Sequence, residues 1–215
     1  MDFLNIHTHH QLPEGETTIR SFGLHPWYLN EDWQERFKNE TLKVESQIDE
    51  RLRDERATTD EPLFIGECGL DRVCDTPYDR QLAAFEAHVD LSERLSLPLI
   101  LHCVRALDDA LRMKRGTRQP WVFHGFRGKP QQLRQLLDHD FYVSFGFHFN
   151  EESLKLCPAD HLFLETDDAP HSIVPLYESV ARLRHISVEE LRQQVWTNLT
   201  AVACHSDDDS SLRAL

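Results

Sequence analysis

The chain lacks several features, and each absence narrows the reading. No apolar run in its 215 residues approaches the length of a membrane span, so no membrane association is expected. No basic region leads into an apolar stretch at the start, so no signal peptide is expected and the cytoplasm is the expected location. No CxxC occurs, and the five cysteines, Cys68, Cys74, Cys103, Cys157 and Cys204, are odd in number. That pattern argues against a thiolate zinc finger and a disulfide framework, and for reduced, mostly buried thiols. Positive charge is scarce: 23 Lys and Arg face 37 Asp and Glu, for a net charge of −14. Broad electrostatic binding to nucleic acid or anionic lipid is disfavoured, although a nucleic acid held locally by metals is not excluded. No glycine-rich phosphate turn follows an early strand, which weighs against an open doubly wound nucleotide-binding sheet.

What is present is a globular composition with an unusual count of thirteen histidines. The length suits one sizeable core, assigned to residues 1–205, followed by an acidic tail over 206–215 that contains Asp207, Asp208 and Asp209. Apolar runs predict strands at 2–7, 18–24, 63–69, 99–102, 121–124, 141–145 and 162–166, with 10–17 a loop. Helical periodicity appears over 77–95, 105–114, 130–138, 151–156 and about 175–204, and in one or two acidic, mostly exposed helices over 31–56. Thr76 is placed to cap the first of these with Pro77 at its first position, and Ser187 with Glu190 forms a capping box. Strands alternating with helices call for a parallel sheet covered by helices. The expected fold class is α/β, a TIM-like (β/α) barrel reduced to about seven strands.

Each predicted strand near the chemistry ends in a potential metal ligand. The first supplies His7 and His9, which leave a strand on the same face. Later strands supply Glu67, His102 and His124, and the last supplies Asp167, two residues beyond Glu165. In a barrel these ends converge on one mouth. Four imidazoles and two carboxylates suffice for two divalent ions bridged by a carboxylate, with zinc foremost and Mn, Co, Fe, Ni or the less comfortable Mg as alternatives. Two such ions would activate a water, and Asp167 could take its proton. Glu165 can be read as a ligand, as support for one, or as half of a buried pair.

These residues resemble a family. His7-Thr8-His9, Gly23-Leu24-His25-Pro26-Trp27, Ile65-Gly66-Glu67-Cys68-Gly69-Leu70-Asp71, Leu101-His102, His124-Gly125-Phe126-Arg127-Gly128 and Leu164-Glu165-Thr166-Asp167 are similar, in order, to the TatD-type deoxyribonucleases of the amidohydrolase superfamily. Asn198 matches a recurrent Asn in that family's last helix. The resemblance implies a metal-dependent hydrolase in which His7, His9 and Asp167 hold one ion, Glu67 bridges, and His102 and His124 hold the other. It makes Asp167 and Glu67 the catalytic pair, with Asp167 as base, and puts His25 at the mouth as a substrate or supporting group. An ordinary loop hydrogen bond is an equal reading of His25.

Three departures stand out. Only eleven residues separate His9 from Ser21, where the family commonly has a helix and another strand. A basic residue stands three positions after His102, as Arg105, rather than two. Gly-Phe-Arg-Gly replaces Cys-Phe-Ser-Gly after His124, so Arg127, with Lys129 nearby, can supply a phosphate contact or a surface ion pair. Trp27, Tyr28, Phe147 and Phe149 are candidates for stacking a base, or for plain rim packing. The leading functional reading is a 3′–5′ exonuclease acting on DNA or another phosphodiester. A metal-dependent deacylase or ester hydrolase and a non-catalytic metal-binding scaffold are the alternatives. Nothing points to a stable protein partner.

Overall fold

Short parallel strands surround the core in the computed structural model, which describes residues 1–53 and 63–204. They are β1 (Phe3–Asn5), β2 (Glu16–Thr18), β3 (Arg20–Phe22), β4 (Leu63–Asp71), β5 (Leu99–Val104), β6 (Trp121–Phe123), β7 (Phe141–Phe145) and β8 (Leu162–Leu164). The helices are α1 (Trp33–Arg53), α2 (Tyr78–Leu95), α3 (Leu107–Lys114), α4 (Pro130–Leu137), α5 (Glu151–Leu156), α6 (Val174–Arg184) and α7 (Val188–Ala203). Strands β3 to β8 form a six-stranded sheet in chain order, with every pairing parallel. The expected alternation of strand and helix is therefore realised.

The ring is completed by β1. On one side it pairs with β2, from Phe3 against Glu16 to Asn5 against Thr18. On the other it reaches the end of β8: the Ile6 N–H donates to the Leu164 carbonyl at 3.0 Å and the Asp167 N–H to the His7 carbonyl at 3.1 Å. Strand β3 resumes one residue after β2 and pairs with β4. Strands β2 and β3 are thus two halves of one bent stave, broken at Ile19, and the barrel has seven staves. The buried aromatic residues Phe64, Trp121, Phe141, Phe145 and Phe163 from β4, β6, β7 and β8 fill the core. Their near-continuous apolar runs are what strands buried on both faces require.

Local chemistry accounts for most element ends and corrects some expectations. Ser187 accepts the Glu190 N–H at 3.1 Å, and the Glu190 carboxylate accepts the Ser187 N–H at 2.7 Å, which is the expected capping box on α7. Thr76 does not cap α2. That helix starts after Pro77 without a side-chain cap, and Gln81 instead donates to the Thr76 carbonyl at 2.8 Å. The stretch read as one terminal helix is two, because His185 adopts a left-handed conformation at φ +56° and ends α6. The stretch read as a loop over 10–17 contains the start of β2. Its Glu16 carboxylate accepts the Ser172 hydroxyl at 2.5 Å and the Ile173 N–H at 3.2 Å. Asn198 ties α7 to the barrel by donating to the carbonyls of Ala159 and Leu162, both at 2.8 Å. All five cysteines are free, but only Cys68 and Cys157 are buried. The acidic tail over 206–215, and the rest of the acidic stretch between Arg53 and Leu63, lie outside the described residues. Among the described residues no helix is long and apolar enough to cross a membrane.

One buried histidine holds the loop that leads to the site. His88 of α2 is fully buried. Its Nδ1–H donates to the Ala84 carbonyl at 2.7 Å, leaving Nε2 to accept the Leu24 N–H at 2.9 Å. Burial pushes the His88 pKa down to about 4, against the weaker upward pull of the Ala84 carbonyl. The unfolded chain therefore binds the extra proton first. The stabilisation from neutral His88 is complete above about pH 6.5 and is lost as the pH falls towards 4, a change of about 3 kcal/mol. Chemical denaturation at stepped pH checks this. His88→Gln should fall less steeply than the parent between pH 6.5 and 4, whereas parallel curves would contradict the assignment.

Candidate metal centre

The site forms where β4 and β5 approach closely. Two glycines of β4 permit the approach. A Cβ on Gly66 would sit 2.5 Å from the Ile100 carbonyl oxygen, and one on Gly69 would collide with the His102 carbonyl. The strand expected over 63–69 runs on through both glycines to Asp71. Its register against β5 slips between Ile65 and Cys68, where three steps of β4 face two of β5. Glu67 lies in that bulge, a feature that re-aims a side chain.

The other donors come from neighbouring strand ends. His7 and His9 follow β1, His124 follows β6, and Asp167 follows β8. Asp167 has a left-handed backbone, φ +52°, and its carbonyl accepts the His9 N–H at 3.1 Å. This pins the two histidines and the aspartate together in an uncommon conformation that Asp tolerates better than most residues. Beneath them the Asn5 amide donates to the Thr166 hydroxyl at 2.8 Å, and its carbonyl oxygen accepts the Thr166 N–H at 3.1 Å.

The six expected ligands meet around one carboxylate. Glu67 Oε2 lies 2.9 Å from His7 Nε2 and 3.5 Å from His9 Nε2. Its Oε1 lies 2.7 Å from both His102 Nδ1 and His124 Nε2. Asp167 Oδ1 joins the first half, 3.6 Å from His9 Nε2 and 4.0 Å from His7 Nε2. His25 joins the second, with Nε2 at 3.2 Å from both Glu67 Oε1 and His102 Nδ1. At the same time His25 Nδ1 accepts the Trp27 N–H at 3.2 Å, which is the loop hydrogen bond expected of it.

Electrostatics follow from this crowding. Burial opposes ionisation of Glu67, but hydrogen bonds from His102, His124, His25 and His7 overcome it and hold the carboxyl far below the usual range. Burial would lower His124, yet Glu165 and Glu67 raise it well above an ordinary imidazole. Glu165 is itself fully buried; against that burial His124 and His7 keep it low. Asp167 moves the other way, because burial raises it, with Glu165 adding to the rise and His124 opposing it. His9 is raised, chiefly by its hydrogen bond to Glu67.

Three residues outside the expected ligand set shape the site. Asp71 Oδ2 sits 3.3 Å from His102 Nε2, on the far side of the ring from Glu67. Glu165 Oε1 lies 3.4 Å from His124 Nδ1, and accepts the Gly125 N–H at 2.5 Å. Each imidazole of this pair thus has a carboxylate behind it, an arrangement that orients ligating histidines and raises their basicity. Asp168 stands close enough to His9 and Asp167 to form a third donor group on the rim. Alternation along β4 puts 67, 69 and 71 on one face, and that is the signal by which Asp71 could have been found.

Imidazole and carboxylate donors drawn together in this way could hold a metal, and they suit borderline divalent ions such as Zn, Mn, Co, Fe or Ni. The cavity above them measures about 730 Å³ and includes Trp27, Tyr28 and Arg127 in its wall. Arg127 is exposed, and among the described residues its guanidinium has no partner. Arg105 does not face this cavity. It lines an adjoining one of about 520 Å³, of which Arg127 is also a wall. Lys129 is exposed at the start of α4. His10 places Nε2 2.9 Å from the Asp168 carbonyl. Removing the carboxylate behind His102, in Asp71→Ala, should weaken divalent-ion binding about 10–100-fold. Calorimetric titration of metal-free protein checks this, and unchanged affinity would refute the role of Asp71.

Comparison with known proteins agrees with the geometry. Residues 5–203 match the family model for TatD related DNase. The 3′-5′ ssDNA/RNA exonuclease TatD of Rahnella sp. (strain Y9602) is 34% identical over 148 residues, covering 59% of this chain and 52% of the relative. The protein of the same name from Klebsiella pneumoniae (strain 342) is 36% identical over 126 residues, covering 51% and 46%. The chain therefore spans about half the length of these curated relatives. The solved hydrolase TatD family protein of Entamoeba histolytica superposes with a TM-score of 0.72 at 19% identity, over 89% of this chain and 76% of that one. With the family model covering nearly all of the barrel, the chain belongs to the TatD related DNase family.

Proposed function

We propose that this chain is a metal-dependent phosphodiesterase that releases nucleotides from the 3′ end of single-stranded DNA or RNA, using two divalent ions, zinc foremost. The observation that carries the proposal is the division of the Glu67 carboxylate. One oxygen faces His7 and His9, the other faces His102 and His124, and Asp167 stands beside the first group. A carboxylate placed between two sets of imidazoles is what a pair of bridged ions requires. The names of the Rahnella and Klebsiella relatives support the choice of substrate.

In this reading His7, His9 and Asp167 would hold one ion, and His102 and His124 the other. When bound, such ions lower the pKa of water and polarise a phosphoryl oxygen. Asp167 takes the proton of the attacking water. Its side chain is 26% exposed, so a proton taken there can leave. Arg127, without a partner among the described residues, is free to pair with phosphate oxygens at the cavity wall. Arg105 serves the strand further out. His25 helps to position the substrate on the His102 side. The net charge of −14 is compatible with this, because attraction for the substrate is concentrated at the metals and the two arginines. The proposal places the reaction in the cytoplasm, where five free thiols stay reduced.

The test is cleavage of a 3′-labelled single-stranded oligonucleotide by metal-loaded protein, with and without chelator, beside an aryl ester and an amide. Chelator should abolish nucleotide release, and Asp167→Asn should lower kcat about 100-fold or more. Arg127→Ala should act mainly on KM. Chelator-resistant cleavage, or an Asp167→Asn rate equal to the parent's, would overturn the mechanism. Ester or amide turnover without phosphodiester turnover would shift the assignment to a deacylase or esterase.

A further inference from the structure

Trp27 is exposed and yet fixed. The residue is 53% accessible, on the short 3-10 turn Pro26–Tyr28 that follows β3. Its indole Nε1–H donates to Asp71 Oδ2 at 2.6 Å. Asp71 is only 2% exposed and is itself held on every side. Its Oδ1 accepts the Val73 N–H at 2.7 Å, and its backbone N–H and carbonyl are both bound by the Gln81 side chain, at 2.7 and 3.0 Å. The indole stands edge-on to His25, with centroids 5.1 Å apart and planes at 88°, and at 78° to His102. A large aromatic ring normally gains by covering itself. Here a buried carboxylate anchors one edge of the ring, while the rest stays in the wall of the cavity above the donors around Glu67.

The two ends of that cavity differ in chemistry. Trp27 and the 66% exposed Tyr28 stand on the turn after β3. Arg127 follows β6, three strands along the sheet from β3, and also borders the adjoining cavity where Arg105, Gln132 and Gln135 lie. Neither Arg105 nor Arg127 has a partner for its guanidinium among the described residues. A polynucleotide has the matching polarity when its end lies at the site, because the terminal nucleoside presents a flat base and the rest of the strand presents phosphates. Stacking is indifferent to base identity and so suits non-selective release. A ring already locked in place loses little rotational freedom on binding.

Resting on the phosphodiesterase reading above, we infer that Trp27 is the stacking platform for the 3′-terminal base, and that the strand leaves the site across Arg127 and Arg105. This makes Trp27 a substrate-binding residue that takes a terminal base of any identity, with Asp71 as the group that positions it. The inference also gives the exposed indole a reason to be tethered.

The experiment uses the metal-loaded full chain and three single-stranded oligonucleotides, one unmodified, one with an abasic 3′-terminal residue, and one with the abasic residue at the penultimate position. For the parent protein, loss of the terminal base should raise KM about tenfold, and loss of the penultimate base by far less. Trp27→Leu should raise KM for the unmodified strand about tenfold while leaving the terminal-abasic strand nearly unchanged, so that the two substrates become alike. Trp27→Phe, which keeps a ring, should restore most of the discrimination. If Trp27→Leu weakens both substrates equally, lowers kcat alone, or leaves the discrimination intact, the stacking assignment is overturned. The same holds if Trp27→Phe behaves as Trp27→Leu does. A parent protein that releases nothing from any of the three strands overturns the phosphodiesterase reading itself, and that result is visible without any variant.

Discussion

A single buried carboxylate, ringed by five imidazoles, is the constraint on which the site depends. Glu67 is 9% exposed, and His7, His9, His25, His102 and His124 all turn a nitrogen towards it. Desolvation of such a group is expensive unless charge or hydrogen bonds answer it. Five nitrogens answer it, and they arrive from four different parts of the chain. The barrel therefore has to bring β1, β3, β4, β5 and β6 to one mouth with their ends level. Closure between β1 and β8, the bent stave of β2 and β3, and the bulge in β4 each serve that purpose.

The seven-stave ring is the economical part of this arrangement. With few residues between His9 and Ser21, the chain cannot build a helix and a further strand there. It bends one stave instead, so that β2 reaches β1 and β3 reaches β4. Glu16 closes the joint from below by binding the start of α6 through Ser172 and Ile173. The loop that follows β3 is then fastened by His88, and it delivers His25 to the donor cluster and Trp27 to Asp71. Buried polar contacts from α2 and β4 thus hold the loop that carries His25 and Trp27 to the mouth.

Much of this was legible in the sequence, for a physical reason. Polar donors at the ends of buried parallel strands stand out, because an apolar run stops at a polar residue. His7, His9, Glu67, His102, His124 and Asp167 all announce themselves in that way. Residues whose partners are remote in sequence do not. Asp71 reads as the end of a motif until His102 and Trp27 are seen on either side of it. His88 reads as one more polar residue on a helix, since nothing local says that its ring will accept the Leu24 N–H. Thr76 looks like a helix cap because Ser and Thr usually are, but the Gln81 side chain takes over the turn. The bend at Ile19 left no trace either, because a β-branched residue between two short strands looks like the middle of one. Arg105 stands near His102 in sequence, but faces the adjoining cavity rather than the donors around Glu67.

The central claim is that Glu67 lies between two metal positions rather than inside one. Its most direct test is the number of divalent ions bound per chain, measured by elemental analysis after equilibrium dialysis of metal-free protein against excess zinc. The account predicts two ions per chain, and a loss of both in Glu67→Ala, because each set of imidazoles shares that carboxylate. A single ion per chain, or two that survive the substitution with unchanged affinity, would contradict it.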